Sequence, residues 1–180
     1  MPSLVGSEMC IRDRCVIHEQ GNSSQEARCA GVKDGMDGGK VEILYVNGKD
    51  LTAAQSTINA KLAQDKSIDW VMALQASVAM RSTDAVAEAG AQAKVSTFDT
   101  NAELVDAIAD GTVQWAVDQQ PYMQGYLAVD ALWLAHRNGS TLGGGRPVYT
   151  GPSFVDSTNV DVISESAKEG LRSVSYTHLT

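Results

Sequence analysis

Long apolar runs and an excess of basic residues are both absent from this sequence of 180 residues. The longest apolar runs, such as Trp70 to Leu74, are about one strand long, whereas a helix that crosses a membrane needs roughly 20 apolar residues. We therefore expect no transmembrane segment. The 14 Lys and Arg residues stand against 22 Asp and Glu residues, which gives a formal net charge of -8. This balance argues against a nucleic-acid partner and favours sugars, cations or neutral metabolites as ligands.

Cysteines are also few. The three cysteines, Cys10, Cys15 and Cys29, form neither a C-x-x-C pair nor a cluster with zinc-ligand spacing, so we predict no metal site. Cys15 and Cys29 can pair in an oxidising compartment or remain two buried thiols, and the sequence leaves both possibilities open. The glycine-rich stretches lack the patterns that bind nucleotide phosphates, so no cofactor is predicted.

The two ends of the chain differ in character from the rest. Residues 1–14, which include VGSEMCIRDR, and residues 175–180, SYTHLT, resemble translated sequencing-adaptor read-through. The first segment has no apolar core of the kind that a secretory signal has. We expect both segments to be non-native flanks without a function, and we expect the natural N-terminus to lie further upstream.

Between these ends, short β-rich runs alternate with helical patterns, which is typical of an α/β fold. We predict strands at 15–18, 41–46, 70–74, 95–98 and 113–117, helices between them, and a long helix at 122–137. Short edge strands are predicted at 148–149 and 154–155. The predicted fold is a doubly wound, mostly parallel sheet, in which the loops after the strand ends share one edge. A ligand site is expected at that edge.

Polar side chains follow the predicted strands, and they suit binding better than catalysis. The carboxylate of Asp99 can accept hydrogen bonds from two hydroxyl groups of a polyol, and the amides of Gln75 and Gln119 can both donate and accept. Two alternatives stay open, namely that Asp99 caps a helix and that the glutamines are solvated loop amides. Glu26 lies near the start of the first helix, where the helix dipole favours it in any case. His18 has no partner with the spacing of a catalytic pair, so no catalytic residue is predicted.

Four motifs follow one another in the order HEQGN (18–22), EARCAG (26–31), FD (98–99) and VDQQP (117–121). In this order they resemble the type 1 periplasmic sugar-binding proteins, the ribose-binding-like substrate-binding proteins of ABC transporters. The resemblance extends from residue 15 to about residue 165 and covers the C-terminal half of a full-length member. It implies two α/β lobes that are joined by three crossings and close over a sugar.

The resemblance also implies a division of the chain and a set of ligand contacts. Residues 15–120 would form the second ligand-binding lobe, 121–139 a helix that packs on the first lobe, and 140–174 C-terminal edge strands and a tail. Asp99 matches a hydroxyl-binding aspartate, Gln75 and Gln119 match amide positions, and His18 is a further candidate contact. Glu26 occupies the position of a ligand-binding arginine of several sugar binders, with Arg28 as a neighbouring arginine, so this contact is expected to be altered.

The function implied by the resemblance is the binding of a sugar or polyol, without enzyme activity. An ABC transporter permease would be the partner of the intact protein, which would reside in the periplasm without inserting into the membrane. Two alternatives stay open. One is the effector-binding domain of a lac-repressor-type transcription regulator, and the other is an α/β enzyme that uses His18 or Asp99 as a base.

Overall fold

The computed structural model describes residues 12–36 and 39–172. Most of the two flanks predicted at 1–14 and 175–180 lies outside these residues. The described part alternates strands and helices along the chain. The strands are β1 (Arg12–Ile17), β2 (Lys40–Tyr45), β3 (Trp70–Ala73), β4 (Lys94–Phe98), β5 (Trp115–Asp118) and β6 (Ser153–Asp156). The helices are α1 (Ser23–Gly35), α2 (Leu51–Gln64), α3 (Ala76–Glu88), α4 (Ala102–Ala109), α5 (Pro121–Asn138) and α6 (Val160–Lys168).

The six strands form one sheet in the order β2-β1-β3-β4-β5-β6. The pairs from β2 to β5 are parallel, and β6 pairs antiparallel with β5 at the edge. The predicted doubly wound, mostly parallel α/β sheet is thereby confirmed. From β1 the chain passes to β2 on one side and then crosses to β3 on the other side. The strand order therefore reverses between β1 and β3, and α/β sheets commonly bind ligands at such a point.

The helices begin where the sequence supplies a cap. The side-chain oxygen of Asn22 accepts hydrogen bonds from the amides of Ser24 and Gln25 at the start of α1. Asp50 and Asn101 cap α2 and α4 in the same way. Each cap satisfies amide groups that the first turn of a helix leaves without partners.

Most of the core lies on one face of the sheet. There α2, α3, α4 and α6 cover the strands with aliphatic side chains such as Ile58, Leu62, Leu104 and Ile108. The other face carries a much smaller buried cluster, formed by Cys15, Ile17, Cys29 and Leu74. Of the helices, α1 is the one that contributes to this smaller cluster.

Three details of the predicted secondary structure differ from the structure. Strand β1 begins at Arg12, three residues before the predicted strand, and Arg14 is buried there in ion pairs with Glu42 and Asp65. The edge strand predicted at 148–149 is wrong, because these residues form a loop in which Val148 lies close to Gly143. Helix α6 was not predicted, although its apolar residues pack on α4.

Helix α5 is fully described, and none of its 18 residues is buried. Its large apolar side chains face solvent, with Leu132 72% exposed and Trp133 61% exposed. Such a continuous apolar surface is unusual in a folded domain. Helix α5 therefore has an exposed apolar face, while its packing on a first lobe, which the resemblance implies, stays a prediction. Among the described residues, no helix is both long and apolar enough to cross a membrane.

Strand β1 also buries a carboxyl group without full compensation. Asp13 is 5% exposed, and one of its carboxylate oxygens has no hydrogen-bond partner among the described residues. Burial, together with the negative charge of Asp69, raises the pKa of Asp13 to about 6. The folded chain therefore holds a proton that the unfolded chain releases near pH 3.8. This group stabilises the fold at low pH, and the contribution is lost as the pH rises from about 4 to 6.

We predict that Asp13→Asn raises the free energy of unfolding at pH 7.5 by roughly 1 to 3 kcal/mol, because the amide avoids burying a charge. The gain should shrink toward zero near pH 4. Urea unfolding at several pH values measures both. Asp110→Asn is the matched control, since Asp110 is exposed and the hydrogen bonds from Thr112 lower the pKa of its carboxyl. An equal gain at pH 4 and pH 7.5 would contradict the assignment.

Candidate functional site

The ends of the parallel strands bring three of the predicted site residues to one edge of the sheet. His18 follows β1, Gln75 lies two residues after the end of β3, and Asp99 follows β4. The register pairs Ala73 with Thr97, so Gln75 and Asp99 lie at equivalent positions on neighbouring strands. Gln75 precedes α3 without capping it. Its amide is half-buried at the edge and is available to a ligand.

Asp99 and Gln119 are joined directly. The Nε2 group of Gln119 donates a 2.7 Å hydrogen bond to Oδ1 of Asp99. The backbone of Asp99 has φ +64°, a left-handed conformation that non-glycine residues seldom adopt, and its amide donates to the carbonyl oxygen of Val117. This geometry leaves the second carboxylate oxygen of Asp99 free to accept a hydrogen bond from a ligand hydroxyl.

The alternative that Asp99 caps a helix does not hold. Asn101 is the residue that caps α4, since its side chain accepts a hydrogen bond from the amide of Leu104 at 2.8 Å. Burial raises the pKa of Asp99, although the hydrogen bond from Gln119 and the positive charge of Arg28 act in the opposite direction. A half-buried carboxylate without a capping role is a typical ligand group.

His18 is held in one orientation by Gln25. The side-chain oxygen of Gln25 accepts hydrogen bonds from the backbone amides of His18 and Glu19, so its NH₂ group faces Nε2 of His18 at 3.0 Å. Nε2 must then accept, which places the proton of the neutral ring on Nδ1. Burial lowers the pKa of His18 and favours this neutral form. The ring is also packed tightly, because a Cβ atom at Gly48 would lie 2.9 Å from its Cδ2 atom.

Arg28 is a site residue that the sequence reasoning did not select. Its guanidinium lies over the ring of Phe98, 4.7 Å from the ring centroid. Among the described residues it has no hydrogen-bond or ion-pair partner, so its donors are available to a ligand. Arg28 lies on α1 and Phe98 at the end of β4. The contact between their side chains is therefore visible only in the three-dimensional structure. The EARCAG motif was the signal that could have indicated it.

An open depression of about 400 Å³ lies beside these residues. One side is formed by Arg28, Phe98 and Gln119, and the other by Gln124 of α5 and the loop from Val148 to Pro152. Its volume falls within the range of small-molecule sites, and its wall combines an aromatic ring with polar groups. In the part of the chain that the structure describes, no group of three or more potential metal ligands is present.

The structure does not bring Glu26 to this depression. The carboxylate of Glu26 accepts a hydrogen bond of 3.1 Å from the hydroxyl of Tyr45 on β2. The residue lines a second, separate depression between α1 and β2, together with Lys33 and Ile43. Arg28, which lies two residues later on the other side of α1, lines the first depression instead.

Cys15 and Cys29 form a disulfide bond. The sequence left this pairing open, and the bond joins the middle of β1 to α1. Both residues are buried, and Phe98 packs against the cluster that contains them. Phe98, whose ring lies under the guanidinium of Arg28, thus borders the cluster that contains the disulfide.

Comparison with known proteins gives a consistent answer. Residues 12–140 match the model of a family described as a periplasmic binding protein domain. A carbohydrate transporter from Acidothermus cellulolyticus, solved in complex with myo-inositol, is 47% identical, with a TM-score of 0.87 over 91% of this chain and 57% of that chain. No curated protein matches the chain.

Two further structures share the fold at lower identity. A myo-inositol binding protein from Caulobacter is 24% identical, with a TM-score of 0.73 over 86% of this chain and 54% of that chain. A periplasmic ribose ABC transporter protein from Conexibacter woesei is 17% identical, with a TM-score of 0.75 over 92% of this chain and 57% of that chain. The chain thus spans a little over half the length of these proteins.

The family is described as one of binding proteins, and the resemblance stated from the four motifs is thereby confirmed. The family model covers well over half of the sequence, and a solved structure is almost half identical to it. The chain therefore belongs to the periplasmic binding protein domain family.

Proposed function

We propose that this chain provides one lobe of a substrate-binding protein that takes up a monosaccharide or a cyclitol for an ABC importer. The single observation that carries the proposal is a depression lined by Arg28 and Gln119, with Asp99 held beside it by the hydrogen bond from Gln119. A carboxylate, an amide and a guanidinium together offer the acceptors and donors that hydroxyl groups need. Phe98, which also lines the depression, adds apolar surface to its wall.

Among such ligands, myo-inositol is our first choice. The most similar structure named above was solved with myo-inositol and is 47% identical to this chain. A cyclitol such as myo-inositol is uncharged and carries a hydroxyl group on every ring carbon. Each hydroxyl can donate and accept hydrogen bonds, which suits a site that contains both acceptors and donors. His18, Gln75 and Glu26, predicted as contacts from the sequence, enter the proposal differently. His18 and Gln75 lie at the same sheet edge, whereas Glu26 lies outside the depression.

The remaining parts of the proposal concern location and partners. The family implies a site in the periplasm or outside the cell, and we place the protein in the periplasm. The Cys15–Cys29 disulfide supports an oxidising compartment. Residues 15–120 form the second lobe, α5 within 121–139 covers a first lobe, and an ABC transporter permease receives the closed protein. The lac-repressor-type regulator is disfavoured, because every structure named above is a transport or binding protein.

We expect this chain alone to bind myo-inositol weakly, with a Kd of about 1 mM or weaker, because one side of the depression is open and cannot bury the ligand. Titration followed by ¹H–¹⁵N NMR detects binding in this range. The shifts should concentrate on the side-chain signals of Arg28 and Gln119 and on the amide of Asp99. Scyllo-inositol and glycerol serve as comparison ligands. Micromolar affinity in calorimetry would contradict the expectation that a second lobe completes the site.

Single substitutions test the three central contacts. Arg28→Lys and Asp99→Asn should each weaken binding by at least about 10-fold, because the first loses the planar set of guanidinium donors and the second replaces a charged acceptor by a neutral amide. Gln119→Leu should weaken binding and should also release the carboxylate of Asp99. Glu26→Gln is the matched control on the same helix and should leave the affinity unchanged. The result that contradicts this assignment is a loss of binding in Glu26→Gln with no loss in Arg28→Lys.

A further inference from the structure

Helix α1, which carries Arg28, is attached to the sheet by unusually few apolar contacts. Of its 13 residues, Gln25 and Cys29 are the two that are buried. It buries no leucine, isoleucine or aromatic side chain. By comparison, α2 buries Ala54, Ile58 and Leu62 in the large core on the opposite face. Hydrophobic burial, the usual means of holding an amphipathic helix on a sheet, is therefore weak for α1.

The two buried residues of α1 are instead tied to β1 by specific bonds. Cys29 is joined covalently to Cys15, which sits at the centre of β1 between Ile43 and Met72 of the flanking strands. Gln25 accepts hydrogen bonds from the backbone amides of His18 and Glu19 just after β1. Both attachments lead to the same strand, one at its middle and one at its end.

These attachments flank Arg28 in the sequence and in space. Gln25 lies three residues before Arg28 and Cys29 directly after it, so the turn of helix that bears the guanidinium is fixed on both sides. Phe98 packs against the cluster of Cys15 and Cys29, and the same ring supports the guanidinium of Arg28 at 4.7 Å. The ring beneath the guanidinium of Arg28 therefore borders the same buried cluster that contains the disulfide.

We propose that the Cys15–Cys29 disulfide is a positioning element of the ligand site, which holds α1 so that Arg28 stays over Phe98 at the edge of the depression. Gln25 is the second positioning residue. The role in ligand binding rests on the function proposed above, whereas the placement of Arg28 does not. Reduction of the bond to two thiols should loosen α1 while the large core on the opposite face, with Ile58 and Leu104, keeps the rest of the domain folded.

The first experiment observes Arg28 itself. Protons held over the face of an aromatic ring resonate upfield, so the Nε–Hε signal of Arg28 should be shifted upfield in the oxidised chain. The signal is assigned by its loss in Arg28→Lys, and Phe98→Leu should abolish the shift. All variants carry Cys10→Ser, which prevents exchange with the third thiol. Treatment with a phosphine reductant, verified by a mass gain of two hydrogens, should move the signal to the position of a free arginine side chain.

Two controls separate positioning from general destabilisation. Ile58→Val weakens the core on the opposite face and should lower the free energy of unfolding without moving the Arg28 signal. The double substitution Cys15→Val and Cys29→Ala keeps the cluster apolar but removes the covalent bond between β1 and α1, so it should reproduce the effect of reduction. An Arg28 signal that stays upfield in the reduced chain overturns the proposal. Global unfolding of both the reduced chain and the Val/Ala variant also overturns it, because the bond would then be required for the fold itself.

The second experiment connects the placement of Arg28 to the ligand, with myo-inositol as the probe. Reduction should weaken binding by about 10-fold in the chain with Arg28 and by less than about 2-fold in Arg28→Lys, since the disulfide acts through that side chain. Equal losses in both backgrounds would contradict a role through Arg28. If the oxidised chain shows no response to any polyol, the proposed function fails, while the NMR signal of Arg28 still decides whether the disulfide positions it.

Discussion

The parallel pairing of β1 with both β2 and β3 is the constraint on which the rest of this structure depends. Because β2 and β3 follow β1 in the chain but lie on opposite sides of it, the crossovers run in two directions, and their right-handedness places α1 on one face of the sheet and α2, α3 and α4 on the other. The strand order reverses beside β1, and the residues that follow β1 and β3 diverge to leave space at that edge. His18 and Gln75 come to the same place for this reason, without any local sequence signal that relates them.

The two faces of the sheet are stabilised by different means. Where α2, α3, α4 and α6 pack, aliphatic side chains exclude water and no specific bond is needed to define the arrangement. On the α1 face the buried cluster is small. There the Cys15–Cys29 disulfide and the hydrogen bonds of Gln25 hold the helix on the sheet. Arg28 and Phe98 of the candidate site lie on this second side. Specific bonds fix the orientation of a side chain more narrowly than apolar packing does, which suits the proposed role of Arg28.

Much of the fold could be predicted from the sequence, because its hydrophobic periodicity and its turn residues agree. Trp70 to Leu74 reads as a buried strand, and Asn22 and Asn101 lie where helices begin. Helix α6 was not predicted because polar and charged residues separate its few apolar residues, and the segment from 140 to 174 was expected to form edge strands and a C-terminal tail. The segment at 148–149 was misread because two large apolar residues in succession suit a strand as well as a loop beside a depression.

The site was predictable only in part, for a physical reason. Residues that follow strands are placed by topology, so Asp99 and Gln119 could be identified from the order of the elements alone. Arg28 lies on a helix, and its contact depends on how that helix is rotated on the sheet. A motif gives the sequence separation of Glu26 and Arg28 but not which of the two faces Phe98. The direction of a helical side chain is decided by the buried contacts of the helix, here Gln25 and Cys29.

The segment from Gln119 to Gly151 leaves the sheet and returns to it at nearly the same place. The side chain of Gln120 donates to the carbonyl oxygen of Thr150, and the hydroxyl of Thr150 donates to that of Gln119. Two adjacent chain crossings, tied by short bonds, act as a double tether. A displacement of the loop at Thr150 would therefore also act on Gln119, the residue whose side chain donates to Asp99.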